Sequence, residues 1–329
     1  YTSTSALASN EQKLILAYST ADQISLMIMT TSFGAFLAAQ SGLLDILYIS
    51  IIISLLQMTA HGVYKATLFM NAGTVIHYTE SRYVGVFPKL YRRLKSVFVL
   101  QLIAALNLAN LIPLVGFWAH NAISNLIEDL SPAWALYVFT EFLGAVYITR
   151  YIAKTFLWPK GEEPHEEGHY SSIMLVSPFV LALASVGLGL TFPQLMSFLI
   201  GSEASEYLKV DVVELTLSLV GIALGLGLYT RGFEIKSSIT EPLYYAWYVN
   251  PAFDKFGVKS FGFAKGLYNK FEFGIVDNYL NVRLPNWLIT SGNSLVKSIQ
   301  NNVLRDYIAV YASGIVILIV IVLIILSVV

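Results

Sequence analysis

Cysteine is absent from the 329 residues, which removes disulfides, thiolate metal sites and cysteine nucleophiles from consideration. Charge is scarce as well. Asp, Glu, Lys and Arg make up 12% of the chain, against roughly a quarter in an ordinary soluble domain. The net charge of -1 gives no basic excess of the kind that tracks nucleic acid. No Gly-rich phosphate loop, Ser/His/Asp arrangement or nucleotide fingerprint stands out, and nothing is built to hold a redox cofactor. Tyr1 to Lys13 lacks the basic start and apolar core of a signal peptide. What is abundant is apolar surface: 56% of residues are hydrophobic and the mean hydropathy is +0.65.

The apolar residues fall into runs long enough to cross a bilayer, whose ~30 Å hydrocarbon core takes about 20 helical residues. Runs at 14–39 and 43–78 are separated by the turn Gln40-Ser-Gly42. The second exceeds one crossing at ~1.5 Å per residue and is expected to tilt, protrude or break, with Gly62 as its weak point. A polar loop, 80–95, carries Arg82, Lys89, Arg92, Arg93 and Lys95 and leads into the run 96–109. Asn107, Asn110, Pro113 and Gly116 then interrupt a run that resumes as far as Leu126, the pattern of a discontinuous helix. Further spans are expected at 132–158, 173–200, 212–229 and 307–329, with an acidic, solvated connector at 160–169. The stretch 230–306 intersperses Tyr244, Trp247, Phe253, Phe256, Phe261, Phe263, Phe271 and Phe273 with Lys255, Lys259, Lys265 and Lys270, which predicts an amphipathic helix lying in the membrane interface. The fold class is therefore an all-α polytopic membrane protein with about 7–8 transmembrane helices, one of them discontinuous, and a lateral amphipathic helix.

An ionised side chain at mid-membrane costs at least ~2.5–3.5 kcal/mol, so each such residue in these spans is a functional candidate. His61 and Lys65 are four apart in the middle of 43–78, on one helical face, and Gln57 extends that stripe by one turn. Burial disfavours the charged form of such groups, which is what lets them load and release a proton. The bland alternative is a lysine satisfied by carbonyls and a histidine bonded to a neighbouring helix. His120 follows the break, where it either passes a proton towards one face or sits at the interface beside Trp118. Glu141 lies mid-span and needs a cation or proton from another helix, because Arg150 is half a turn around its own helix. Arg150 and Lys154 are expected to reach for the surface. Asp22 divides evenly between an interfacial group and part of a proton path. His77 lies off the Lys65 face. His165 and His169 lack the helical context for a metal site, and no metal or cofactor ligands are assigned.

The segments Leu14-Ile-Leu-Ala-Tyr-Ser-Thr-Ala-Asp-Gln23, Thr59-Ala-His-Gly-Val-Tyr-Lys-Ala-Thr-Leu-Phe69 and Gly73-Thr-Val-Ile-His77 resemble the antiporter-like subunits of respiratory complex I, of Mrp sodium/proton antiporters and of membrane-bound hydrogenases. Ile112-Pro-Leu-Val-Gly-Phe-Trp118 looks like that family's second broken helix. The region from Tyr244 to Asn281, with Arg305-Asp-Tyr307, is similar to the lateral helix and last span of the largest, distal member.

The resemblance implies the C-terminal half of a two-repeat fold. Residues 1–229 would be the C-terminal repeat, 230–306 the lateral helix region and 307–329 the terminal transmembrane helix; the N-terminal repeat would lie outside this chain. It implies a proton relay through Lys65 and His61, to which Gln57, His120 and Glu141 are added as relay candidates by their own placement in the spans. Two departures stand out: the family often has His where Gln57 stands, and a Lys-Asp pair where this chain has His120 and Asn121.

By the same resemblance the chain is a subunit of a proton-translocating NADH/quinone or ferredoxin-linked oxidoreductase, holding no redox centre itself. Iron-sulfur clusters and a flavin or nickel-iron centre would sit on partner subunits. Expected partners are neighbouring antiporter-like subunits, small membrane subunits and the lipid bilayer, without nucleic acid, in a prokaryotic plasma (inner) membrane. The rivals are an Mrp-type sodium/proton antiporter subunit and a structural scaffold with no proton path of its own.

Overall fold

The computed structural model describes residues 1–161, 170–234, 237–300 and 302–328. Gly42 ends the first long run in the left-handed conformation, φ 75°, its N–H bonded to the Ala38 carbonyl, as a glycine C-cap should. The run before it is α2 (Gln12–Ser41), preceded by the short α1 (Thr2–Ala8); the run after it is α3 (Leu44–Thr79). α2 and α3 form an antiparallel pair in which Gly34 lets α2 settle directly on the Ser50 side chain. α3 runs through Gly62 without a break, against the expectation of a weak point there. A mid-helix glycine costs only about 1 kcal/mol, too little to interrupt a helix of 36 residues packed on several sides.

The polar loop that follows holds one short turn of helix, Leu90–Arg92. It returns to the start of α2 through a bond from Gln12 N to the Arg82 carbonyl at 2.9 Å. The expected discontinuous helix is present as α4 (Lys95–Leu108) and α5 (Val115–Ile127). At the break Asn110 takes φ 60°, a left-handed conformation that asparagine tolerates. The Gly116 N–H, which the break would leave unpaired, donates to Asn107 Oδ1 at 2.6 Å. α6 (Ser131–Ile152) continues through a wide turn, Ala153–Leu157. Next come α7 (Val176–Ile200), α8 (Ala204–Tyr207), α9 (Val212–Tyr229) and α10 (Ser237–Tyr244). Gly189 of α7 lies against the backbone of Pro113 and Leu114, so α7 braces the break. Gly221 and Gly225 let α9 approach the backbone of α6 at Phe142 and Val146, the small-residue packing that membrane helices use.

Arg150 and Lys154 correct the expectation of side chains reaching outward. Arg150 is buried, its Nη1 donating to the Ser9 carbonyl and its Nη2 to Asn10 Oδ1, both at 2.8 Å. The turn between α1 and α2 leaves those acceptors without helical partners, and a guanidinium satisfies both at once. Lys154 is buried too and lies over the Trp158 ring.

The chain divides into two units, Tyr1–Asn250 and Pro251–Val329. The second is a long helical run, α11 (Val249–Leu267), a wide-turned segment Tyr268–Arg283 and α12 (Leu284–Ile299), followed by α13 (Leu304–Val328). Its aromatic side chains Phe253, Phe256, Phe261 and Phe263 are exposed within this chain, as is most of α13. Among the described residues, five helices are long and apolar enough to cross a membrane: Gln12–Ser41, Leu44–Thr79, Ser172–Tyr207, Val212–Tyr229 and Leu304–Ser327. The expected span 132–158 is met by α6, whose Glu141 and Arg150 dilute its apolar character.

Candidate functional site: a buried polar file

Exposed hydroxyls of the spans, such as Ser25, Ser32 and Thr59, bond to the carbonyls of their own helices, whereas a set of longer polar side chains is buried. They converge where α2, α3, α5, α6 and α9 meet beside the break. Gln23 of α2 accepts at Oε1 from Gln57 Nε2 of α3 at 2.7 Å and from Tyr64 OH at 3.2 Å. Gln57 Nε2 also meets His120 Nε2 of α5 at 2.8 Å. If the amide donates there, Nε2 of the ring is the acceptor and Nδ1 carries the proton. Nδ1 faces Glu141 Oε2 of α6 at 3.0 Å. Tyr137 OH, 3.3 Å from the same ring nitrogen, donates to the His120 carbonyl at 2.9 Å. Asn110, in the break, closes the series by donating from Nδ2 to Glu141 Oε2 at 2.8 Å and to Glu214 Oε1 of α9 at 3.2 Å.

The helix break is what brings this about. A continuous helix over 95–127 would satisfy its own backbone and leave no polar elbow in the core; the interruption turns Asn110 inward between two carboxylates and starts α5 afresh, with His120 on its buried face. His120 and Gln57 are fully buried, Glu141 is 2% exposed and Glu214 3%. His120, Glu141 and Glu214 each place a ligand-type atom within 4.8 Å of the others, a spacing compatible with a cation. His120 and Asn110 engage Glu141 Oε2 and Asn110 engages Glu214 Oε1, while Glu141 Oε1 and Glu214 Oε2 have no protein partner.

Of the five residues singled out in the sequence, the structure joins Gln57, His120 and Glu141 in one hydrogen-bonded series. Lys65 and His61 are buried on the same side of α3 as Gln57, but stand outside that series. Lys65 Nζ donates to the Leu16 carbonyl of α2 at 3.2 Å. His61 lies edge-on to the Tyr64 ring, and its Nε2 has no protein partner. Asp22 is buried within the protein: it accepts from Ser3 Oγ at 2.7 Å and from Tyr147 OH at 3.3 Å. His120 is fully buried within the protein. His77 is exposed at the end of α3, and His165 and His169 lie outside the described residues.

Sequence reasoning passed over Asn110, Tyr64, Tyr137 and Glu214 as chemical groups. Glu214 sits in the first turn of an apolar span, where a carboxylate is ordinarily read as a favourable partner of the helix dipole. The signal available was Asp211, already capping that helix through the N–H groups of Val213 and Glu214, which leaves Glu214 free to turn inward.

Fold and site together define a multi-pass helical membrane protein with a polar file inside its first unit. Residues 1–145 match the family model described as "NADH:quinone oxidoreductase/Mrp antiporter, TM". Over those residues the chain is similar to membrane subunits of NADH:quinone oxidoreductases and Mrp antiporters. It is similar to NADH-ubiquinone oxidoreductase chain 5 of Metridium senile, 28% identical over 78% of this chain and 43% of that one. It is also similar to Na(+)/H(+) antiporter subunit A1 of Staphylococcus saprophyticus, 28% identical over 60% of this chain and 26% of that one. In fold it resembles the Mrp complex from Dietzia sp. DQ12-45-1b, with a TM-score of 0.51 and 19% identity over 98% of this chain and 32% of that one. The chain spans less than half the length of these relatives.

Proposed function

We propose that this chain is a proton-translocating membrane subunit of a complex I-type NADH/quinone or ferredoxin-linked oxidoreductase, carrying protons along Lys65, His61, Gln57, His120 and Glu141. The observation that carries the reading is the unbroken series from Gln23 through Gln57 and His120 to Glu141, buried at every step. Charged and hydrogen-bonding groups are retained at such depth only where they serve a path or a partner. Lys65, one turn beyond His61, is the charge reservoir at the α2 side. Water is the natural bridge at the buried atoms without a protein partner, His61 Nε2, Gln57 Oε1 and Gln23 Nε2. Gln57 does not itself titrate; its amide orients the ring of His120.

The redox chemistry belongs to partner subunits that hold iron-sulfur clusters and a flavin or nickel-iron centre, and this chain couples to it through neighbouring antiporter-like and small membrane subunits. Residues 1–229 form the transporting repeat, 230–306 the lateral region bracing those neighbours and 307–329 the terminal span, in a prokaryotic plasma (inner) membrane in keeping with the bacterial relatives. A second reading, an Mrp-type sodium/proton antiporter subunit, is favoured by the likeness to the staphylococcal antiporter subunit. Proton pumping per electron pair in vesicles carrying Lys65→Ala, with sodium present and then removed, tests both. Loss of pumping with assembly preserved supports the relay, and loss of transport on sodium removal favours the antiporter. Native stoichiometry in the variant leaves only the scaffold.

A further inference from the structure

Glu214 is a buried carboxylate that the relay as drawn does not use, and its surroundings lead to the edge of the protein. Its Oε1 takes a hydrogen bond from Asn110, while Oε2 has no protein partner. Three residues before Glu214, Asp211 caps α9 and meets the hydroxyl of Ser124 on α5. Ser124 Oγ donates to Asp211 Oδ2 at 2.6 Å, and Trp134 Nε1 holds the same oxygen at 3.1 Å. Asp211 is half-buried, and Lys209 and Val210 beside it are exposed. This corner is tied down from α5: Asn121 accepts the Asp211 N–H at 2.8 Å and donates to the Lys209 carbonyl at 2.6 Å, and Asn125 donates to the same carbonyl at 2.7 Å.

We infer that the file opens to solvent between α5 and the start of α9, with Glu214 as a further proton carrier between Glu141 and an outlet formed by Ser124 and Asp211. The inference rests on the reading of the file as a proton path. A proton on His120 Nδ1 passes to Glu141 Oε2, breaking the N–H bond and forming O–H, and the imidazolium and carboxylate become a neutral pair. It moves next to Glu214, whose carboxylate lies within one water's reach: a single bridging water with two hydrogen bonds of about 2.8 Å spans the 4.8 Å set by the cluster. Glu141 regains its charge as Glu214 loses its own. Ser124 then accepts the proton at Oγ while giving up its own to Asp211, which releases it to solvent. No co-reactant is needed: the three carboxylates regain their starting charges, and His120 is left neutral until a further proton from the Lys65 side of the file reloads it. Asn110 has a positioning role, donating to both carboxylates from one nitrogen and holding them face to face.

The test uses the intact assembly in sealed vesicles, with Glu214→Gln, Glu214→Asp, Asp211→Asn and Lys65→Ala compared by proton release and by infrared difference spectra. Glu214→Gln keeps the shape and the Asn110 contact but cannot carry the proton. Release should slow by about tenfold or more, and the carbonyl band of a protonated buried carboxylic acid should disappear. Glu214→Asp should restore part of the rate, and Asp211→Asn should slow release without removing that band. If Lys65→Ala stops pumping while Glu214→Gln pumps at the native rate, the outlet lies elsewhere and the relay stands. If neither variant changes pumping, both readings fail. Should Glu214→Gln not assemble, native release by Glu214→Asp and Asp211→Asn together, with no carboxylic acid band in either, overturns the outlet.

Discussion

Gln57 shows most clearly how one side chain sets what the file can do. It cannot bind a proton, yet it is the only side chain among the described residues bonded both to Gln23 of α2 and to His120 of α5. Gln57→Leu should therefore lower proton transfer by about tenfold or more, measured as pumping in vesicles with electron transfer monitored alongside, whereas Gln57→His should retain most of it, an imidazole being able both to accept and to donate. Equal rates in the two variants would separate Gln57 from the path. The stripe Gln57, His61, Lys65 was legible from helical spacing alone, because all three share one face of one helix. The meeting of His120 with Glu141 was not, since they belong to α5 and α6 and no intrahelical period relates them. Arg150 misled for a similar reason: the acceptors that keep it inside, the Ser9 carbonyl and Asn10, lie far away in sequence.

At the scale of elements, the break between α4 and α5 is the feature on which the site depends, and the sequence announced it through Asn107, Asn110, Pro113 and Gly116. How it is stabilised was hidden. Asn107 was visible as an interruption, but its side chain caps the restarted helix at the Gly116 N–H, and Gly189 of a distant helix packs on the break because a Cβ there would strike backbone. Asn107→Ala leaves that N–H without its acceptor in the core and should cost about 1–3 kcal/mol. The measurement is the thermal midpoint of the purified protein in detergent, and an unchanged midpoint would show that the cap is dispensable. Gly225→Val should push α9 away from Val146 and Thr149 of α6 and so loosen the Asn110 bond to Glu214, reducing pumping more than it reduces assembly; the ratio of transport to assembled protein reads that difference.

For the whole molecule, the composition carried most of the architecture: little charge, no cysteine and long apolar runs suffice for a multi-pass helical protein. The number of crossings was less legible, because α3 is far longer than one bilayer requires and α4 far shorter than a full span. The second unit exposes its aromatic residues and nearly all of α13, a surface suited to lipid and to neighbouring subunits. Deleting 230–306 should then release the subunit from its assembly, seen as loss of co-purification with the neighbouring membrane subunits, and normal assembly after the deletion would count against bracing. The central claim concerns the path through the first unit, and His120 is where its two halves join. The most direct measurement is the proton-to-electron ratio of the intact assembly carrying His120→Leu. The path predicts a ratio lowered to that of Lys65→Ala with electron transfer still running; a native ratio in a fully assembled His120→Leu complex would contradict it.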